Sequence, residues 1–253
     1  MSYKLYSPQH QMTAGHKVEL FLRFVNLPVE LERIGFDKIK SPEYLQKHPL
    51  GKVPTLDTPE GPIFESNSIL RYLARKAGKL YGNTLAETAT IDQWLEFNNT
   101  QLGPGNFRTN YAILGFMPVS KEHYEAGKKD YLEVLKVVEA QLKKTHYLAG
   151  SEITIADIAL FPNIRCALRL FLDEKARAGI PHVVQWYERL FTHKEVAEEY
   201  GKPWLCTREV LPHFEAPEAK KEEKKEEVKG GEHKKGEGKE KKEKKKEEPK
   251  KKE

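Results

Sequence analysis

The chain has 253 residues, enough for two compact domains and an appendage. Its net charge is +5, but 16 Lys and 12 Glu lie between Glu218 and Glu253, so +4 of it belongs to that stretch. The rest is nearly neutral, which argues against a broad nucleic-acid footprint; two cysteines exclude a disulfide framework, and no run of about 18 apolar residues is present to span a membrane.

Lys4-Leu5-Tyr6, closed by Ser7-Pro8, reads as a strand. A helix over 15–26 follows, because Val18, Phe21, Leu22 and Val25 recur at helical spacing and Pro28 cannot continue it. Residues 29–34 alternate apolar and polar as a second strand, so strand, helix and strand imply a parallel pair with a crossover. Ser41-Pro42 opens a short helix as N-cap and first helical residue. Residues 51–56 and 62–65 flank Thr58-Pro59-Glu60-Gly61, a tight-turn sequence, and are expected to form a hairpin. A helix from Ser66 to about Gly78 completes the order β-α-β-α-β-β-α.

Beyond Gly78 the alternating patterns stop. Ile91, Trp94 and Leu95 start one helical face; Tyr131, Leu135, Val138 and Leu142 form a second; Val183, Trp186, Tyr187, Leu190 and Phe191 form a third. Residues 158–172 are apolar nearly all round and belong at the centre of the helical region. Thr154 and Asp157 have capping-box spacing, flanked by Ile153 and Ile158 as a staple, and are assigned to folding. From Pro217 onward Lys, Glu and Gly dominate, a composition that cannot bury enough surface to order the chain.

Three features bear on chemistry. A proline at Val53-Pro54 either sits in trans on an edge strand or in a cis bond that turns the Val53 backbone outward to pair with an extended peptide. Glu65-Ser66-Asn67 opens a helix whose free N–H groups suit a carboxylate, with Glu65 available to an ammonium; Ser66 is also readable as a plain N-cap. The nine histidines show no metal-ligand spacing with cysteine or each other.

Gly51-Lys52-Val53-Pro54 followed by Phe64-Glu65-Ser66-Asn67-Ser68-Ile69 resembles the glutathione-site core of the cytosolic glutathione transferases. Tyr147-Leu148-Ala149-Gly150 leading to Thr154-Ile155-Ala156-Asp157 resembles their helical-domain capping motif. Trp94-Leu95-Glu96-Phe97, Leu102-Gly103-Pro104, the stretch 196–206 and the Lys/Glu run after it resemble the transferase-like region of the gamma subunits of eukaryotic elongation factor 1. The resemblance implies an α/β thioredoxin-like N-terminal domain over 1–80, an all-α helical C-terminal domain over 86–212 (together the glutathione transferase fold) and a disordered Lys/Glu-rich tail over 217–253. It implies glutathione as ligand or co-substrate, bound by Lys52, Val53, Pro54, Glu65 and Ser66. Members place an activating hydroxyl or thiol just after the first strand; here Ser7 comes early and Thr13 nearer the expected place.

The function implied first is a scaffolding subunit of the elongation factor 1 complex that docks the nucleotide-exchange subunit. A working transferase that conjugates glutathione to electrophiles comes second, and an appendage of the tRNA synthetase machinery third. A cytoplasmic protein is expected, as a homodimer or complex member, with RNA contact through the tail as a further expectation.

Overall fold

The computed structural model describes residues 3–9 and 13–214. The tail expected over 217–253 lies outside the described residues.

Strand β1 (Tyr3–Pro8) pairs in parallel with β2 (Val29–Ile34), Tyr3 opposite Val29 and Pro8 opposite Ile34. Helix α1 (Thr13–Phe24) makes the crossover, with Val18 and Phe21 fully buried, each contributing about 1.5–3 kcal/mol. Ser41 caps α2 (Pro42–Leu45) as expected, its Oγ accepting from Tyr44 N at 3.2 Å. Strand β3 (Thr55–Thr58) runs antiparallel to β1, and β4 (Gly61–Phe64) antiparallel to β3, giving the order β2-β1-β3-β4.

The hairpin corrects the sequence reading in one respect. Its first strand starts at Thr55, and Pro54 lies before it instead of inside it. Strand β3 is interior, between β1 and β4, where a residue without an N–H has no place in the ladder. Residues 51–54 therefore form a loop at the strand's entrance. Helix α3 (Ser66–Ala77) follows β4 and ends at Gly78, whose φ of 64° is the left-handed cap conformation.

The second half is helical: α4 (Leu85–Phe97), α5 (Gly103–Asn106), α6 (Lys121–Leu142), α7 (Ile155–Leu170), α8 (Glu174–Arg177), α9 (Pro181–Leu190) and α10 (Lys194–Tyr200). Two π-helical turns, Asn98–Leu102 and Phe107–Tyr111, flank α5. The three apolar faces read from the sequence are buried except at Phe191, which is partly exposed. Helix α7 is buried around most of its circumference. One hydrophobic core runs from Leu5 and Phe21 through Leu70 and Trp94 to Ile158 and Trp186, so the sheet layer and the helical layer share it. After α10 the chain packs back as far as Phe214, whose ring meets Tyr124, while Glu209 accepts from the Tyr124 hydroxyl at 2.6 Å. Cys166 is partly buried, which pushes its thiol up to about 11.

Candidate functional site

The strand registers bring the sequence-predicted residues to one end of the sheet. Thr55 stands opposite Phe64 and Tyr6 opposite Thr55, so the loop 51–54, the junction at Glu65-Ser66 and the end of β1 are neighbours. The Val53–Pro54 peptide is cis. Pro54 is buried, Val53 half-buried and Lys52 exposed. The Tyr44 hydroxyl holds this loop by donating to Lys52 O at 2.8 Å.

At the head of α3 the structure departs from the plain N-cap reading. Glu65 occupies the cap position at φ 67° and ψ 113°, with no side-chain capping bond, and Ser66 is already the first helical residue. A non-glycine residue in that region costs on the order of 1–3 kcal/mol, and such strain gathers at ligand clamps. It leaves the Glu65 side chain exposed, while Ser66, 8% exposed, lines a cavity. The N–H groups of the first turn have no intrahelical acceptor.

Of the two candidate hydroxyls, Ser7 is fully buried and its Oγ donates to Glu19 Oε1. Glu19 in turn takes two bonds of 2.7 Å from the Arg33 guanidinium, a bidentate pair. The Ser7 hydroxyl thus supports an ion pair between α1 and β2. Thr13 opens α1 at the expected end of the sheet; its side chain lies outside the described residues.

Lys17, which the sequence reading missed, and Asn67, to which it gave no role of its own, hold the junction together. Lys17, on α1, donates from Nζ to Asn67 Oδ1 at 2.5 Å, and Asn67 Nδ2 donates to Leu95 O at 2.8 Å. Asn67 so ties α1, α3 and α4 together beside Ser66. Burial pulls the Lys17 ammonium down to about 7. The signal was a lysine directly before Val18 on the apolar face of α1. Lys17 and Ser66 line a cavity of about 150 Å³ between the two layers, with walls from α1, α5, α7 and the π-helical turns.

Residues 1–75 match the family described as Glutathione S-transferase, N-terminal domain, and residues 106–194 match Glutathione S-transferase, C-terminal domain. Glutathione S-transferase F10 of Arabidopsis thaliana is 32% identical over 196 residues, covering 69% of this chain and 88% of that protein. The chain belongs to the glutathione S-transferase family. The transferase from Phanerochaete chrysosporium solved in complex with oxidized glutathione matches at a TM-score of 0.69 and 27% identity, over 78% of this chain and 94% of that one. Within the transferase family the similarity extends to elongation factor subunits. The probable elongation factor 1-gamma 2 of Arabidopsis thaliana is 34% identical over 164 residues, 64% of this chain and 40% of that protein. The chain thus spans about 40% of that elongation factor's length.

Proposed function

We propose that this chain is a transferase-fold subunit of a cytoplasmic elongation factor 1 complex, and that its folded surface docks the nucleotide-exchange subunit. The observation that carries this reading is its 34% identity to an elongation factor 1-gamma over 164 residues. The near-neutral charge of the chain before the tail adds to it, since a stable contact there rests on packed apolar and hydrogen-bonded surface. The test is retention of purified exchange subunit by the immobilised full chain at about 0.1 M and about 1 M salt, where the Debye length falls from about 10 Å to about 3 Å. Retention at high salt supports docking by the folded surface. Retention only at low salt assigns the contact to the charged tail, and none at either salt overturns the reading.

In this reading glutathione still fits the end of the sheet, with weak turnover or none. The Val53 backbone pairs with the peptide, Glu65 meets the ammonium, Ser66 and the α3 N–H groups take one carboxylate, and Lys52 reaches the other. The burial of Ser7 against Glu19 supports weak turnover, because that hydroxyl already donates elsewhere. A working transferase is the second reading, favoured by the strained Glu65 beside Ser66. Strong conjugation of an aryl halide that Thr13→Ala abolishes would put it in front.

A further inference from the structure

We propose that Arg165 and Arg169, in the C-terminal half of α7, bind a phosphate monoester whose organic group leaves past Trp204. The site is apart from the end of the sheet where glutathione fits, and it depends neither on that ligand nor on docking of the exchange subunit.

The two arginines stand four positions apart on α7 and so share one face of the helix. Asn163, which lines the cavity beside Ser66, is about 200° round the helix from Arg165 and about 240° from Arg169. Neither arginine lines that cavity. They turn instead toward α10 and the segment after it. The Arg165 guanidinium lies over the Tyr200 ring, 4.3 Å from its centroid, and that of Arg169 over Trp204 at 5.4 Å.

Both guanidiniums carry donors without acceptors. The Nε atom of each is buried, and among the described residues it has no hydrogen-bond partner. Two carboxylates reach this neighbourhood, Glu19 and Glu199, whose charges act on Tyr200 and His16. Glu19 is already paired with Arg33 and Glu199 with Arg23. Burial holds the Arg165 guanidinium below its ordinary range, and the Arg169 charge adds to that. The other groups acting on it, Tyr187, Tyr200 and Cys166, are themselves held protonated by burial. Arginine keeps its proton even so, and the pair presents two positive charges with no negative one between them.

A buried charge is costly unless it is paired and hydrogen-bonded. The two ring faces offset part of the cost, at about 0.5–2 kcal/mol each, and the end of α7 favours a cation in its last turn. Neither effect gives the Nε–H groups an acceptor. A phosphate monoester does, because it brings three acceptor oxygens and a charge of about −1.5 to −2 near pH 7 to two planar guanidinium forks. A carboxylate or a sulfate ester brings one charge and leaves the second arginine uncompensated. Trp204, 54% exposed, marks the open side. Its backbone is held by Tyr187, whose hydroxyl lies 3.3 Å from both Trp204 N and Trp204 O. The indole therefore gives a ring on the ester a fixed surface to lie against.

The test uses the full chain and three probes: phenyl phosphate, phenyl sulfate, which keeps the ring and carries a single charge, and inorganic phosphate, which loses the ring. Titration calorimetry at physiological ionic strength is expected to show phenyl phosphate binding at least tenfold more tightly than phenyl sulfate and severalfold more tightly than inorganic phosphate. Arg165→Gln and Arg169→Gln should each weaken phenyl phosphate at least tenfold. Arg169→Lys, which keeps the charge and loses the fork, should weaken it severalfold. The tail lysines are the same in every variant, so these differences report the arginines alone. Saturation with phenyl phosphate should also change the tryptophan emission, and Trp204→Phe should remove that change. The phosphate preference and the emission change, read on the unmodified chain, carry the test if the arginine variants do not fold. Equal affinity for phenyl phosphate and phenyl sulfate, unmoved emission at saturation, no binding, or folded arginine variants that bind as the unmodified chain does would overturn the proposal.

Discussion

Trp186 Nε1 donates to Asp157 Oδ1 at 2.9 Å, and both side chains are fully buried. The same carboxylate accepts from Leu148 N at 2.9 Å, from Thr154 N at 2.9 Å and from the Thr154 hydroxyl at 3.1 Å. Burial pushes the Asp157 carboxyl up, and these donors pull it back. The capping box thus also anchors α9 and the loop before α7. Asp157→Ala leaves two buried N–H groups and a part-buried one without their acceptor and should cost about 3–5 kcal/mol of stability in urea denaturation. Trp186→Phe, which removes one donor, should cost clearly less. Equal losses would show that packing of the indole, not the carboxylate, dominates.

Lys17 predicts a rise of stability with pH. Its folded value is about 7 against an unfolded value of 10.5. Between these the unfolded chain binds the extra proton, so stability increases as pH rises through that window and is flat below it for this group. The slope has an upper limit of about 1.4 kcal/mol per pH unit. Tyrosines with raised values act in the opposite sense near the top of the window, so the informative quantity is the difference from Lys17→Met. Parallel curves for the two proteins would place the Lys17 ammonium in water.

Gly15→Ala sets two effects against each other. Alanine favours an exposed helix interior by about 1 kcal/mol. Here, however, a Cβ would stand 2.7 Å from Ser7 Oγ and 2.8 Å from Pro8 Cδ. The proline ring cannot yield as a flexible side chain does, and overpacking costs about 1–3 kcal/mol. A net loss of about 1 kcal/mol is expected in thermal melts. A stabilised variant would mean that β1 and α1 separate easily.

The residues at the end of the sheet should differ in their effect on glutathione binding. Ser66→Ala is expected to weaken binding about tenfold or more, the usual cost of a hydrogen bond to a charged group. Glu65→Gln should act in the same direction. Ser7→Ala should leave binding unchanged and cost only about 0.5–1.5 kcal/mol of stability, because its hydroxyl serves Glu19. Calorimetry on the three variants checks this, and a Ser7→Ala variant that loses glutathione while folded would contradict it.

What the sequence by itself determined were the features written locally. The order of strands and helices, the Ser41 cap, the end of α3 at Gly78 and the Thr154–Asp157 box all follow from periods of 2 and 3.6 and from capping chemistry spanning a few residues. The family resemblance likewise rested on short contiguous motifs. Tertiary structure decided where these pieces meet. Strand order made β3 interior and so kept Pro54 out of it. The approach of α1 to β2 turned Ser7 toward Glu19 and Arg33. Asn98 and Asn163 bond across 65 positions, and Lys17 reaches Asn67 across 50. A lone asparagine in the apolar run of α7 and a lysine beside Val18 were visible as polar residues among apolar ones. Their partners lie far along the chain, and only packing brings them within hydrogen-bond distance.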